Sequence, residues 1–400
     1  MTARASQFDG WIRTDFVALN TELEELYFAL DDREDIESVG TDLKRRLVDA
    51  GRNHIVALLA EGNTDEGFEA NFNLMGNIGL YMAACRRHLI TEPTRETRSP
   101  LIEASALAMQ VGASIGMVPR FVSSHLETHN FAINGVFKTF TSLRDEQLFI
   151  AYNTRAALAY IRAAESLLHV LPLGVSHPVT ADLLIAARDA LEDVYRSNDK
   201  LFDELDMERF FHCVRTYYKP HRVGLHEYRG ANAGDFAGIN VIDLLLGVCR
   251  ADEAFYSQLL IDKFLFMRPE DQLVLRDCMR RKSLLDSLLE YAGTDTASEW
   301  YQRNTRLFLE VCAAHGKAAL QHHEKLVRKF IEDPALNKGL ANQKDMTASG
   351  PPLPVLLKSL RKLADLRAAT DRSDIPSRYA DLERLRTSIG CDLAAGSVRG

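Results

Sequence analysis

A pair of adjacent histidines, His322 and His323, lies late in a predicted helix over residues 300–331. Apolar residues recur along this stretch at three- and four-residue steps, which is typical of a helix with one buried face. An imidazole that projects from such a helix into an apolar cavity can bind haem iron through one ring nitrogen while the other nitrogen donates to a nearby acceptor. Basic residues follow within two turns: Lys325, Arg328 and Lys329. These cations suit haem propionates, although the same pattern also fits a solvated helix face.

An arginine in an aromatic run is the second candidate for chemistry. Phe210, Phe211 and Tyr218 recur with helical spacing around Arg215. A guanidinium can grip a carboxylate with two parallel hydrogen bonds while the rings pack an apolar substrate. A loop rich in small residues follows at 229–235, where a ligand could approach the backbone closely. A helical hairpin with Arg215 in a structural ion pair remains the alternative.

His125 and His129 are four residues apart and could share one helix face, which is the spacing of two metal ligands. No carboxylate motif downstream completes a zinc or non-haem iron site. A polar role for one of these histidines in a ligand pocket is the other interpretation.

The elements that must position these residues are helices. Helical periodicity predicts segments at 16–30, 43–59, 102–111, 146–171, 180–195, 239–248, 251–265, 273–292, 300–331 and 379–389. Alternating strand patterns are nearly absent, so the sequence predicts an all-α fold. We expect an N-terminal helical region at 1–99, a catalytic helical domain at 100–370 and a tail with a short helix at 371–400. The non-periodic stretch 337–354 is predicted to be a binding loop or lid.

The composition of the chain argues against several classes of function. The 400 residues carry 48 Lys and Arg against 56 Asp and Glu, a formal charge of −8, which argues against nucleic-acid binding. No uninterrupted apolar run approaches the roughly 20 residues of a membrane span, and the first residues do not form a signal peptide. A cytoplasmic location is therefore expected. The six cysteines lack a C-x-x-C pair, which disfavours a zinc ribbon or covalent haem attachment through such a pair.

Four weak motifs in one order resemble the haem-dependent aromatic oxygenase superfamily, which contains tryptophan 2,3-dioxygenase, indoleamine 2,3-dioxygenase and monodechloroaminopyrrolnitrin synthase. The resemblance covers roughly residues 110–370. It is carried by FFHCVRTY at 210–217, the small-residue loop at 231–238, HEKLVRKFI at 323–331 and the segment 347–361. The stretches 220–224 and 228–230, together with 118–130, are most similar to the synthase branch.

This resemblance implies a helical haem domain like that of the two dioxygenases, with haem b held by His323 and Arg328. It implies that Arg215 holds the substrate carboxylate and that the aromatic residues surround the ring. Asn232 and Asp235 stand where the dioxygenases carry more glycine and serine, so they are predicted to contact substrate. His125, Tyr152, Asn153 and Arg155 are candidates to contact the oxidant. A cysteine four residues after the iron ligand would link haem covalently in one branch, but Val327 occupies that position.

The expected activity is oxidation of a tryptophan- or tyrosine-derived amino acid by O2 or peroxide, in secondary metabolism. Three alternatives remain open. They are an oxidative rearrangement of an indole to a phenylpyrrole, a non-catalytic haem or gas sensor, and a helical protein without cofactor. The substrate, the oxidant and the oligomeric state, including a homo-oligomer, are not determined by the sequence.

Overall fold

Helices form nearly all of the regular structure in the computed structural model, which describes residues 1–62, 66–232, 234–332 and 353–390. The α-helices are α1 Ala3–Arg13, α2 Asp15–Phe28, α3 Thr41–Glu61, α4 Phe68–Arg87, α5 Ile102–Ile115, α6 Arg144–Leu173, α7 Thr180–Glu204, α8 Met207–Arg209, α9 Gly238–Leu246, α10 Ala254–Phe264, α11 Pro269–Cys278, α12 Leu284–Tyr291, α13 Glu299–Gln321, α14 Leu353–Arg367 and α15 Tyr379–Ser388. In the described ranges, the strands form one antiparallel pair, β1 His221–Val223 and β2 His226–Tyr228. The prediction of an all-α fold is confirmed.

Helix α4 is absent from the sequence prediction because it is apolar on nearly all sides and gives no amphipathic stripe. It also contains two glycines that discourage a helical assignment. Both glycines have a packing reason. A Cβ on Gly76 would lie 2.6 Å from Cδ2 of His125, and a Cβ on Gly79 would collide with the main-chain nitrogen of Phe121. The glycines therefore let the segment after α5 cross α4 at close range.

The predicted single helix at 273–292 is wrong. The structure contains α11 and α12 with a break between Cys278 and Leu284. Ser283 starts the second helix, because its hydroxyl accepts a hydrogen bond from the Asp286 amide at 3.0 Å. The apolar periodicity continues across the break, so the sequence pattern gave no sign of the helix cap at Ser283.

Two large hydrophobic cores organise the described part of the chain. The first core joins α1–α5 to residues from the 201–231 stretch, and the second joins α6 and α7 to the C-terminal helices. Phe72 and Val111 are in the same first core, although the expected boundary at residue 99 lies between them. The N-terminal region therefore packs as one unit with part of the predicted catalytic domain.

Helix α6 is long and apolar enough to cross a membrane by length and composition alone. Its 30 residues include an 18-residue window with a mean hydropathy of 1.2, of which 39% is buried. In the structure α6 packs along α7 and against α9, and Ala163 and Leu167 belong to the second core. These contacts are those of a core helix.

Candidate functional site

The two segments that carry the predicted iron and carboxylate ligands share an unusual backbone conformation. Phe210–Val214 is a π-helical stretch directly before Arg215, and His322–Glu332 continues α13 as a π-helix. The two π-helical segments contact each other. Wide π turns are frequent at functional sites because they displace side chains from the regular helical faces. The fold thus brings together two motifs that lie more than a hundred residues apart.

Arg215 directly follows the first π-helical segment and is half-buried. Burial lowers its pKa to about 10, and burial is the only cause of that shift. The guanidinium carbon lies 5.4 Å from the centre of the Phe211 ring. In the described part of the chain, no carboxylate pairs with Arg215. Because a buried charge without a counterion is costly, this position suits an anionic ligand.

Aromatic rings on both sides of Arg215 in the sequence pack against rings from other segments. The Phe210 ring centre lies 5.1 Å from that of Phe149, and Phe149 lies 5.6 Å from Tyr218. Tyr218 also contacts Phe121 at 5.9 Å. Burial raises the pKa of the Tyr218 hydroxyl, which stays neutral at physiological pH. These contacts place the predicted substrate-side rings, Phe210 and Tyr218, in one aromatic group with a ring from α6.

The loop after β2 is held by its own polar groups. Arg229 donates to Oδ1 of Asp235 at 2.7 Å, and the Asn232 amide donates to Oδ2 of Asp235 at 3.0 Å. The side-chain oxygen of Asn232 accepts from the Gly234 amide at 3.0 Å. Both carboxylate oxygens of Asp235 are therefore used to shape the loop. The structure gives Asn232 and Asp235 intramolecular partners at the site where substrate contacts were predicted.

The histidine doublet lies beside two cations from distant elements. His322 is half-buried, and burial lowers its pKa to about 4, with Arg367 and Lys263 contributing charge repulsion. This imidazole is neutral at physiological pH. His323 is also half-buried, and its Nδ1 atom is enclosed by protein.

Lys263 on α10 was not singled out from the sequence. Burial lowers its pKa to about 8, and a Cβ on Gly234 would lie 2.5 Å from its Nζ atom. No carboxylate within the described ranges forms an ion pair with this ammonium group. Lys263 is half-buried and close to the loop of Asp235, and the charges of Asp235 and Asp243 act on it without a direct ion pair in the described ranges.

The basic residues after the histidine doublet do not face the interior beside His322. Arg328 is exposed, Lys325 is exposed and pairs with Asp199 on α7, and Lys329 donates to the main-chain oxygen of Phe202 at 3.3 Å. Helical spacing alone could not separate this outward face from the inward one, because the π-helix shifts every later side chain around the axis.

A buried polar network lies next to the histidine doublet. Asp243 on α9 accepts hydrogen bonds from His315 at 2.6 Å, from Tyr256 at 2.7 Å and from Arg367 on α14 at 2.8 Å. The Arg367 charge and the His315 hydrogen bond hold the pKa of Asp243 well below its ordinary value, against the effect of burial. The network ties α9, α10, α13 and α14 together next to His322. The sequence contains one indication of this network, since Asp243 is an isolated acidic residue in an apolar helix.

The proposal that His125 and His129 share a helix face is wrong. Ser123–His125 is a single 3-10 turn, and His129 lies in the turns after it. His125 accepts from the Val122 amide at 2.9 Å through Nδ1, and its Nε2 donates to the Phe72 oxygen at 2.9 Å. Burial lowers the His125 pKa to about 3. Both ring nitrogens bind the backbone, so the structure gives His125 a packing role between the 3-10 turn and α4.

The candidate oxidant-contacting residues on α6, Tyr152, Asn153 and Arg155, lie on different faces of the helix. Arg155 is exposed and lies over the Tyr152 ring at 5.2 Å, while the Tyr152 hydroxyl donates to Glu204 at 2.7 Å. Asn153 is half-buried one turn after Phe149, and its Nδ2 atom is buried with no hydrogen-bond partner among the residues that the structure describes. Of this group, Asn153 alone directs an unused donor to the interior near the aromatic rings.

Metal-ligand clusters of three or more His, Cys, Asp or Glu side chains do not occur in the described chain. The five cysteines in that part are free and buried: Cys85, Cys213, Cys249, Cys278 and Cys312. Most of the predicted binding loop or lid at 337–354, with the first part of the family-like segment 347–361, lies outside the described residues. The helix expected after the loop is α14.

The described residues form a helical protein in which two π-helical segments, one before Arg215 and one at the histidine doublet, contact each other. The chain belongs to the family described as monodechloroaminopyrrolnitrin synthase PrnB, whose model matches residues 2–389. This match confirms the resemblance drawn from the motifs. Family membership indicates a haem-dependent oxidative enzyme. Among curated proteins, none matches the chain.

Proposed function

We propose that this chain is a haem b enzyme that oxidises an aromatic amino acid derived from tryptophan, with O2 or peroxide as oxidant, in secondary metabolism. One observation carries the substrate class. Arg215 is half-buried, its guanidinium lies 5.4 Å from the centre of the Phe211 ring, and it has no carboxylate partner in the part of the chain that the structure describes. An aromatic amino acid offers a carboxylate and a ring in that arrangement.

The residues around the histidine doublet fit a haem group. In the proposal His323 binds the iron through Nε2, since its Nδ1 atom is enclosed. Haem is a dianion at its propionates, and Lys263 is a half-buried cation near the doublet that forms no direct ion pair in the described chain. We therefore assign a propionate contact to Lys263 and place the exposed Arg328 outside the site. When bound, the haem supplies the oxidising chemistry.

The chain's own groups orient the substrate. Arg215 fixes the carboxylate by two parallel hydrogen bonds, and the Phe211 ring supports the guanidinium from one face. Phe210 and Tyr218 hold the aromatic ring, and Asn153 offers an amide donor from α6. Two anchor points convert a free encounter into one oriented complex. The loop closed by Asp235 and Arg229 borders the site and excludes water.

An oxidative rearrangement of an indole to a phenylpyrrole is the second candidate. It is favoured by the family match, because the family is named for a synthase. The two candidates use the same anchoring residues and differ in product. A sensor would bind haem, but its spectrum would not change when amino acids are added. A helical protein without cofactor would bind no haem.

The test is an absorption spectrum of the purified protein with and without tryptophan and chlorotryptophan. The proposal expects a haem Soret band and a shift of that band when the amino acid binds. Mass spectrometry after turnover separates added oxygen from rearrangement. A colourless protein after expression with haem supplementation would refute the haem assignment, and a haem protein whose spectrum ignores every aromatic amino acid would refute the substrate class.

A further inference from the structure

Arg87 on α4 joins three separate parts of the chain through one guanidinium group. Its Nε donates to Oε1 of Glu24 on α2 at 2.7 Å, and its Nη2 donates to Oε2 of the same carboxylate at 2.8 Å. The Nη2 atom also donates to the main-chain oxygen of His212 at 3.1 Å. The guanidinium carbon lies 4.9 Å from the centre of the Tyr27 ring. Only 8% of the Arg87 side chain and none of the Glu24 side chain is exposed, so the group is held firmly in the interior.

His212 lies within the π-helical stretch that leads to Arg215. The stretch ends at Arg215, which begins a short 3-10 helix, Arg215–Tyr218. The main-chain oxygen of His212 accepts a second side-chain hydrogen bond, from the Thr216 hydroxyl at 3.2 Å. Because His212 precedes Arg215 and Thr216 follows it, this oxygen links the backbone on both sides of Arg215 to the guanidinium of Arg87.

The backbone around Arg215 depends on support from outside the segment. A π-helical stretch of five residues and a 3-10 helix of four residues meet at this position. An α-helix is the more stable local conformation, so contacts from other elements must decide where such a junction forms. The hydrogen bond from Arg87 is a contact of this kind, and α2 also packs against the π-helical stretch.

Stability alone does not account for the buried pair of Glu24 and Arg87. The cost of removing two charges from water often exceeds their mutual attraction, and two apolar side chains of similar volume often give an equally stable fold. An apolar pair, however, offers no donor to a main-chain oxygen. The contribution that requires the arginine is therefore its hydrogen bond to His212.

A second ion pair connects α2 to the same segment without this hydrogen bond. Glu25, the residue after Glu24, pairs at 3.1 Å with Arg209, which directly precedes the π-helical stretch. The Glu25 side chain is 51% exposed. Within the described ranges, Arg209 donates to Glu25 and to no main-chain atom of the π-helical stretch. The two pairs thus separate attachment of the segment from placement of its backbone.

We propose that Arg87, oriented by Glu24, is a positioning residue that places Arg215 for the substrate carboxylate by holding the main-chain oxygen of His212. This inference rests on the proposed function, because it takes Arg215 as the carboxylate anchor. Two parallel hydrogen bonds between a guanidinium and a carboxylate form only in a narrow geometry. Packing of an aromatic ring is less directional. A displaced π-helical stretch therefore weakens recognition of the carboxylate more than it weakens packing of the ring.

The experiment compares tryptophan with tryptamine, which has the same ring and amine but no carboxylate. Dissociation constants are measured on the haem-loaded protein from the shift of the Soret band, and the wild type is expected to prefer tryptophan. In the double variant Glu24→Leu/Arg87→Met this preference should fall about tenfold, the scale of one hydrogen bond to a charged group. The free energy of unfolding should stay near the wild-type value, because both buried charges are removed together.

Arg87→Lys tests the same role with the charge retained. Its ammonium group can still face Glu24, but it does not reproduce the planar fork that serves Glu24 and His212 together. The preference for tryptophan should fall in this variant as well. Glu25→Gln is the matched control, since it changes the neighbouring residue and breaks the exposed pair with Arg209. Its preference should equal that of the wild type.

The outcomes separate this inference from the function on which it rests. A wild-type preference that persists in both Arg87 variants overturns the positioning role and leaves the proposed function intact. An equal loss of preference in Glu25→Gln also overturns it, because any connection to α2 would then be sufficient. A haem-loaded wild type that binds tryptophan and tryptamine equally refutes the carboxylate anchor at Arg215 and this inference together. If the double variant does not bind haem, the ratio in Arg87→Lys decides.

Discussion

Arg367 and Asp243 form a buried two-point ion pair, with Nε of Arg367 2.9 Å from Oδ1 and Nη2 2.8 Å from Oδ2 of Asp243. The pair joins α14 to α9 across more than 120 residues of sequence. Arg367 also acts on His322, whose pKa its charge helps to lower.

Arg367→Met should destabilise the protein by about 3–5 kcal/mol, because it leaves the Asp243 carboxylate buried with its main charge partner removed. Urea denaturation followed by circular dichroism measures this loss. Arg250→Ala is the control, since Arg250 pairs with Asp252 on the surface and such pairs contribute about 0–1 kcal/mol. Equal effects of the two substitutions would show that the buried pair adds no special stability.

Arg215→Ala should keep the haem spectrum and weaken the binding of a carboxylate substrate by about 2–5 kcal/mol, the cost of stripping one partner from a buried charge pair. A titration of the Soret shift with tryptophan gives the affinity. Arg209→Ala removes a cation from the same segment that pairs with Glu25 at 3.1 Å, and it should leave the affinity unchanged. Unaltered affinity in Arg215→Ala would remove Arg215 from the site.

His323→Ala should lose the Soret band or the low-spin conversion with cyanide, because the iron loses its protein ligand. His322→Ala is the comparison variant and should retain a bound haem. Absorption and electron paramagnetic resonance spectra of the two variants decide between the neighbours. Loss of haem ligation only in His322→Ala would transfer the ligand role to His322.

Gly79→Ala should destabilise the fold by about 1–3 kcal/mol or more, because the added methyl group collides with the main chain of Phe121. Gly10→Ala lies in an exposed part of α1 with nothing within 4 Å of the new Cβ. That change should stabilise the protein by up to about 1 kcal/mol, the helix-propensity difference. Thermal melts of the two variants should therefore shift in opposite directions.

The stability of the protein should depend on Glu127 between pH 4.5 and about 8. The unfolded chain releases this proton near pH 4.5, while the folded protein keeps it until about 8. The unfolded state then binds fewer protons, so the free energy of unfolding falls as pH rises, by at most about 1.4 kcal/mol per unit. Glu127→Gln should remove this part of the slope, whereas Glu22→Gln, on the exposed face of α2, should retain it. If the free energy of unfolding depends on pH in the same way in the wild type and in Glu127→Gln, the raised pKa of Glu127 is contradicted.

The sequence by itself determined the helical class, because helix periodicity is local and survives without knowledge of neighbours. It also pointed to His323 and Arg215, whose signals are an adjacent histidine pair and an arginine within an aromatic run. The local pattern failed where the tertiary context decides. Helix α4 has no polar face to mark it, and the cap at Ser283 is hidden by continuing apolar spacing.

Only the tertiary structure decided which polar side chains face the interior. Arg328 and Lys263 are both single cations on helices, yet the first is exposed and the second is half-buried near the doublet. Glu127 and Glu146 look alike in sequence, but only Glu146 receives main-chain donors. Burial and hydrogen bonding depend on which distant elements pack together, and one-dimensional spacing does not carry that information.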